Sequence, residues 1–209
     1  MNRRLSIAAI AAALTLGTAL GAHAQAAFTE VNGVKFDNEI TSRGSKLLLN
    51  GAGTRYKFVI KVYAAGLYVP VRVNTVEGVL DLKAPRSLKV VMLRDIDANE
   101  LGKLLTDGMQ KNATREEFGR AIPGTIRLGE LFAEQKKLAK GDSFMIDWVP
   151  GTGTLITING KAAVDPVKEP EFFTALMKIW FGKSPADAGL KEAMLGGKAV
   201  TAAAPAASN

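Results

Sequence analysis

Arg55 and Tyr63 are the two residues of this sequence whose side chains are best suited to bind an oxyanion. Both lie in the strand-like run from Thr54 to Val71, on its odd-numbered face. Arginine offers a planar fork of donors and tyrosine one directed hydroxyl, so together they could hold a carboxylate or an enolate oxygen. The alternation is equally typical of an edge strand with one solvated face, so periodicity alone leaves both interpretations open.

Other motifs with chemical potential have simpler structural interpretations. Asp95 and Asp97 could act as general acid and base, but acids beside a predicted helix start are more typical of caps and helix-dipole partners. The segments Gly51-Ala52-Gly53 and Gly151-Thr152-Gly153 lack the Gly-Lys-Ser/Thr that a phosphate-binding loop requires. We therefore interpret both glycine segments as turns or bulges.

Residues 1–24 have the features of a secretory signal peptide. Met1–Arg4 is basic, Leu5–Leu20 is nearly unbroken apolar sequence, and Ala22-His23-Ala24 is a small-x-small cleavage site. We predict cleavage after Ala24 and export, with the periplasm as the expected location. A single membrane-spanning helix is the alternative interpretation of the apolar run.

Cleavage would remove the only histidine, and the chain has no cysteine. Hydrolases with an imidazole base, zinc sites built from His or Cys, and haem held by either residue are thereby excluded for the mature chain. We predict neither a metal nor a cofactor. The mature chain would carry 25 basic and 20 acidic residues spread along its length, which argues against a nucleic-acid partner. No later apolar run is long enough to span a membrane.

Hydrophobic periodicity and turn signals predict one α+β domain over residues 25–198, followed by a disordered tail at 199–209. Strands are predicted at 31–36 with a turn at Asn32-Gly33, and at 46–50, 54–71, 88–93, 143–149 and 154–158. The Gly51–Gly53 segment is expected to end the second of these. Helices are predicted at 97–112, 114–122, 126–139, 171–181 and 184–195, with Pro123-Gly124 ending the second and Ser184 capping the last.

Four stretches of the sequence closely resemble the exported bacterial branch of the chalcone isomerase-like family. They are LNGAGTRYKFVIKVYAAGLYVP, LRDIDANELGKLLTDGM, GDSFMIDWVPGTGTLITING and FFTALMKIWFGKSPADAGLK, and the likeness extends from Val31 to Gly196. The resemblance implies an open-faced β-sandwich in which a large antiparallel sheet carries a layer of helices. It also implies a cleft for a flat or elongated apolar ligand.

The resemblance does not carry over the catalytic set of the plant chalcone isomerases. Arg55 and Lys103 match the family's arginine and lysine, and Tyr63 stands in place of a threonine. The catalytic tyrosine, the asparagine and the polar pair that touches the flavonoid are replaced here by Glu100, Asp107, Ile179 and Trp180. Ring closure needs donors at the developing enolate, so we assign no catalytic residue.

The fatty-acid-binding branch of the same fold resembles this chain differently, because its arginine and tyrosine hold a fatty-acid carboxylate. Arg55 and Tyr63 match that pair. If Thr54 to Tyr63 formed one straight strand, the two side chains would lie roughly 26 Å apart. The resemblance therefore requires a bulge or hairpin between Tyr56 and Ile60.

We expect an exported, non-catalytic binder of a small apolar acid such as a fatty acid. Arg55 would anchor the anion, Tyr63 would donate a second hydrogen bond, and Lys103 would contribute to the site. The apolar part would be lined by Phe172, Leu176, Ile179 and Trp180, whose spacing equally fits plain core packing. Two alternatives remain open: an isomerase or intramolecular lyase for a conjugated carbonyl compound, with Tyr63 as acid and Glu100 or Lys103 as base, and an interaction protein whose cleft is unused.

Overall fold

The computed structural model describes residues 27–197 of the 209-residue chain. The expected signal peptide and the expected disordered tail at 199–209 lie outside the described residues. The strands are β1 (Phe28–Val31), β2 (Val34–Asp37), β3 (Glu39–Ser42), β4 (Ser45–Lys57), β5 (Ile60–Val69), β6 (Arg86–Met92), β7 (Ile96–Asp97), β8 (Lys137–Leu138), β9 (Ser143–Val149), β10 (Gly153–Ile158) and β11 (Lys161–Ala162). The helices are α1 (Val76–Leu80), α2 (Ala98–Asn112), α3 (Arg115–Glu134), α4 (Pro170–Phe181) and α5 (Ala188–Met194).

A seven-stranded antiparallel sheet organises the fold, with the strand order β11-β10-β9-β6-β5-β4-β3. The predicted hairpin of β1 and β2 is confirmed, and its turn residues Asn32 and Gly33 have φ of 50° and 81°. A separate two-stranded ribbon pairs β7 with β8 beside the start of α2. The large sheet with its helices confirms the expected α+β, open-faced β-sandwich. Within residues 27–197, no helix combines the length and the apolar character needed to cross a bilayer.

The central strand β5 is buried on both faces. Tyr63, Ala65 and Leu67 point into the main core, which the helices cover. Ala64 and Tyr68 point to a smaller core on the other face, beneath the β1–β2 hairpin. A strand covered on both sides reads as a continuous apolar run rather than as an alternation, which is how residues 62–69 read in the sequence.

The expectation that Gly51-Ala52-Gly53 ends a strand is wrong, because β4 continues through all three residues. These glycines instead allow α5 to approach the sheet. A Cβ on Gly51 would lie 2.0 Å from the carbonyl oxygen of Ala193, and a Cβ on Gly53 would lie 2.7 Å from the Cβ of Ala193. The glycine signal therefore marks close packing of a helix on a strand.

The expectation that Pro123-Gly124 separates two helices is also wrong, because α3 runs unbroken from Arg115 to Glu134. Its apolar face is buried at Ala121, Leu128, Leu131 and Phe132. Packing of that face outweighs the one backbone hydrogen bond that a proline removes from a helix interior. The predicted capping box at Thr114 and Glu117 is present.

Two helix ends differ from expectation. The helix expected to reach residue 139 stops at Glu134, because Lys137 and Leu138 pair with β7. The last helix is capped by Asp187 rather than by Ser184, since the Asp187 carboxylate accepts a hydrogen bond from the Leu190 amide at 2.9 Å. A second Asp187 oxygen accepts from the Tyr56 amide at 2.8 Å and so ties this cap to β4.

Candidate functional site

A hairpin and a β-bulge place Arg55 and Tyr63 side by side. The single strand expected over 54–71 is wrong: β4 ends at Lys57, Phe58 and Val59 form the turn, and β5 begins at Ile60. The chain therefore contains the hairpin that the arginine–tyrosine hypothesis required. Arg55 pairs with Tyr63 across the two strands, and the Arg55 Cζ lies 5.6 Å from the centroid of the Tyr63 ring.

The bulge also sets which way the side chains point. The register shifts between Arg55 and Tyr56, which pair with Tyr63 and Lys61, so Val62 is the extra residue. An extra residue interrupts the alternation of a strand. As a result both Val62 and Tyr63 are buried in the main core, with 5% and 3% of their surface exposed.

The Tyr63 phenol is fixed by Trp180. The indole Nε1 of Trp180 donates a hydrogen bond to the Tyr63 hydroxyl oxygen at 2.8 Å, within the core. Burial raises the pKa of Tyr63 to about 12, against the opposing effects of the Arg55 charge and the Trp180 hydrogen bond, and the charge of Asp187 adds to the rise. The phenol is therefore protonated at neutral pH, and its hydrogen remains available to an acceptor.

Arg55 is a partly buried cation without a protein carboxylate as partner. Among residues 27–197 it forms no ion pair, and its Nε is buried without a hydrogen-bond acceptor. A buried donor without a partner is unfavourable, and more so when it belongs to a charged group. The Tyr63 ring face offsets part of this through a cation–π contact. The described chain therefore supplies no acceptor for the Arg55 Nε donor.

Arg55 lines a cleft of about 490 Å³ between the β4–β5 hairpin and the start of α2. This volume lies within the range of about 300–1,000 Å³ that is common for small-molecule sites. The polar and charged lining residues are Arg55, Lys57, Arg94, Asp95, Asp97 and Glu100, and the apolar ones are Phe58, Ile60, Val62, Ile96 and Leu104. The acids are partly engaged, since Asp95 accepts from Lys137 Nζ at 3.0 Å and Asp97 accepts from the Glu100 amide at 2.9 Å.

The five residues predicted for the ligand site are only partly brought together. Arg55 contacts the ring of Tyr63, and the hydroxyl of Tyr63 in turn accepts a hydrogen bond from the indole of Trp180. Trp180 and Ile179 lie in the core at 1% and 3% exposure, and Ile179 packs against Gly108 of α2. Lys103 is exposed on α2. Of these five, only Arg55 lines the cleft directly.

Sequence reasoning missed the apolar wall of the cleft. The single strand predicted over 54–71 includes Phe58 and Ile60, although the structure has them at and beside a turn. The turn carries no Asn-Gly or Asp-Gly signal, so periodicity continues across it undetected. Asp187 was also missed as a charge near Tyr63, although the Asp187–Leu190 spacing is a recognisable helix-cap pattern.

A second cleft, of about 550 Å³, lies where α2 and α4 end beside α1. It is lined by four lysines, and two of them are engaged: Lys178 binds both carboxylate oxygens of Glu117, and Lys191 donates to the Gly182 carbonyl at 3.1 Å. It contains none of the predicted site residues. Within residues 27–197, no group of three His, Cys, Asp or Glu side chains could hold a metal ion. We therefore place the candidate site at Arg55.

Comparisons with known proteins agree with this fold. The model of the chalcone isomerase-like family matches residues 28–196. Among solved structures, the chain is similar to an Arabidopsis thaliana fatty-acid binding protein, with a TM-score of 0.61 and 15% sequence identity over 78% of this chain and 92% of that one. No curated protein matches the sequence significantly. The chain belongs to the chalcone isomerase-like family.

Proposed function

We propose that this protein is a non-catalytic binder of a small apolar acid, such as a medium-chain fatty acid. The observation that carries the proposal is the Arg55 guanidinium, which lines a cleft of mixed charged and apolar residues and has a buried, unpaired Nε. A carboxylate could accept a pair of hydrogen bonds from this group. The family membership and the fatty-acid binding protein of similar fold support the same interpretation.

In this proposal Arg55 anchors the carboxylate at the cleft. Tyr63 contacts Arg55 but does not line the cleft, so it would donate the second hydrogen bond to a carboxylate that reaches past the guanidinium. The Tyr63 oxygen already accepts from Trp180, so its own hydrogen is the part left for a ligand. The alkyl chain would lie against Phe58, Ile60 and Leu104 at the wall of the cleft. Ile179 and Trp180 would act from the core, by packing and by orienting Tyr63.

The raised pKa of Tyr63 favours binding over catalysis. A general acid works best when its pKa lies near the operating pH. Burial moves the pKa of Tyr63 to about 12, away from neutrality, so the phenol is a donor but a weak acid. This observation weighs against the isomerase alternative, in which Tyr63 would protonate the substrate.

The test is binding of decanoate to the purified protein by calorimetry. Arg55→Ala should weaken binding by about 10- to 100-fold, because a hydrogen-bonded charge contributes about 1.5–3 kcal/mol. Arg55→Lys should retain part of the affinity, and Arg127→Ala, which removes an exposed arginine on α3, should leave it unchanged. Equal affinities for wild type and Arg55→Ala, together with no lipid in native mass spectra, would refute the proposal.

We also propose that the protein belongs to the exported branch of the family, with the periplasm as its compartment. The basic head, apolar run and Ala22-His23-Ala24 site support this assignment. Mass spectrometry of the protein recovered from its native cells should give a mature N-terminus at Gln25. A full-length chain beginning at Met1 would contradict it.

A further inference from the structure

The tip of the β4–β5 hairpin exposes three consecutive apolar side chains. Phe58, Val59 and Ile60 have 92%, 90% and 45% of their surface exposed. The other large exposed apolar residues of the described chain, Val71, Ile122 and Ile126, are scattered singly or along one helix. Isolated exposed apolar side chains are normal, whereas a contiguous group at a protruding tip indicates an interaction site.

The backbone of the tip makes this exposure more unusual. Phe58 adopts a φ of 58°, in the left-handed region. Two-residue hairpin turns favour Asn and Gly at such positions, because a bulky side chain there is strained. The turn thus has a large aromatic residue where Asn or Gly would be more stable and more soluble. No contact of the Phe58 side chain within the described chain compensates for the backbone strain or for the exposure of the ring.

Lysines flank the apolar tip on both strands. Lys57 and Lys61 are exposed and form no ion pair with any described residue, and Arg94 lies exposed nearby on the cleft rim. Apolar side chains flanked by a lysine on each strand are complementary to an anionic lipid surface, where the apolar groups enter the interface and the cations meet the headgroups.

The tip is continuous with the candidate site. Lys57, Phe58 and Ile60 line the same cleft as Arg55. A hairpin inserted to the depth of its turn would therefore bring the mouth of the cleft to the level of the lipid headgroups.

We propose that the β4–β5 tip docks this protein on an anionic lipid bilayer, with Phe58 and Val59 inserted and Lys57 and Lys61 at the headgroups. This docking goes beyond the proposed ligand binding and does not depend on it. The assay contains no added fatty acid, so a failure of docking and a failure of decanoate binding are separate results.

The experiment is cosedimentation of the full protein with vesicles. Wild type should bind vesicles of mixed phosphatidylcholine and phosphatidylglycerol, and bind vesicles of phosphatidylcholine alone much more weakly. The double variant Phe58→Ser/Val59→Ser should lower the partition coefficient by about tenfold or more, since it removes the two inserted apolar groups. The matched control Val71→Ser/Ile126→Ser removes exposed apolar groups elsewhere and should bind like wild type.

The charge contribution is tested separately. Lys57→Gln/Lys61→Gln should weaken binding to the anionic vesicles, and added salt should weaken wild-type binding in the same way. Lys83→Gln/Lys168→Gln removes two exposed lysines near the opposite end of the sheet and should have little effect. A Phe58→Trp variant gives a readout of insertion: its extra fluorescence should shift to the blue and be quenched by lipids brominated on the acyl chain.

Several outcomes would overturn the proposal. One is equal vesicle binding by the tip variant and its matched control. Another is wild-type protein that binds no vesicle but forms dimers that Phe58→Ser/Val59→Ser abolishes, which would assign the tip to a second copy. A Phe58→Trp signal that lipid leaves unchanged would also refute insertion. Circular dichroism and thermal unfolding of each variant establish that the fold is retained, as expected for side chains this exposed.

Discussion

At the scale of single residues, the buried phenol of Tyr63 should make the free energy of unfolding fall as the pH rises above 10. Its pKa rises from 10.0 to about 12 on folding, mainly because of burial. Below pH 10 the folded and unfolded chains both hold this proton, so stability is unaffected. Between pH 10 and 12 the unfolded chain releases it while the folded chain retains it, and the free energy of unfolding falls with rising pH.

The measurement is urea unfolding of wild type and Tyr63→Phe across pH 8 to 12, followed by tryptophan fluorescence. Wild type should lose about 2 kcal/mol more than Tyr63→Phe by pH 12, as a shift of this size implies. Burial also raises the pKa of Tyr68, but both proteins retain that residue, so its effect cancels. Parallel stability curves for the two proteins would show that Tyr63 does not titrate as its burial implies.

At the scale of elements, α3 offers two glycines with opposite roles. Gly119 is exposed and a Cβ there would meet nothing within 4 Å, whereas a Cβ on Gly124 would lie 2.5 Å from the Phe172 ring and 2.7 Å from Val167. Gly119→Ala should stabilise the protein by about 0.5–1 kcal/mol, because glycine has low helix propensity. Gly124→Ala should destabilise it by about 1–3 kcal/mol through overpacking.

Both changes are measured as free energies of unfolding in denaturant, and each serves as the control for the other. The effect of a Gly→Ala substitution on the free energy of unfolding should thus change sign within one helix because of packing alone. If Gly124→Ala were as stable as Gly119→Ala, the close approach of α4 to α3 at this point would be wrong. The proline one residue earlier would then regain its interpretation as a helix end.

At the scale of the whole molecule, Asn50 joins parts that are distant in sequence. It is the extra residue of a second bulge in β4, and its side chain is buried. Its Nδ2 donates to the carbonyl oxygens of Val73 at 2.8 Å and Met194 at 2.7 Å, and its Oδ1 accepts from the Val73 amide at 2.8 Å. One amide therefore fastens the C-terminal end of α5 and the segment after β5 to the sheet.

Asn50→Ala leaves these buried backbone groups without partners and should lower the free energy of unfolding by about 2–4 kcal/mol. Hydrogen exchange should increase first in α5. Asn99→Ala, at an exposed position of α2, should change stability by no more than about 0.5 kcal/mol. An equally small effect of both variants would mean that the Asn50 bonds do not hold α5 in place.

The sequence by itself determined what kind of fold this protein has and which residue types it lacks. The absence of cysteine excludes disulfides and thiolate sites without any geometry. The β1–β2 turn at Asn32-Gly33 and the Thr114–Glu117 cap were predictable, because each is encoded by residues only a few positions apart. Residue types and strand alternation singled out Arg55 and Tyr63, and the family resemblance then implied that the pair holds a carboxylate.

Only the tertiary structure decided how those residues meet. Whether Arg55 and Tyr63 lie roughly 26 Å apart or 5.6 Å apart depends on one turn at Phe58-Val59 that has no sequence signature of its own. Whether Trp180 lines a ligand site or hydrogen-bonds to Tyr63 depends on how α4 packs on the sheet. Local patterns record which face a residue occupies, but contacts between residues distant in sequence arise only when the elements pack, and the site is made of such contacts.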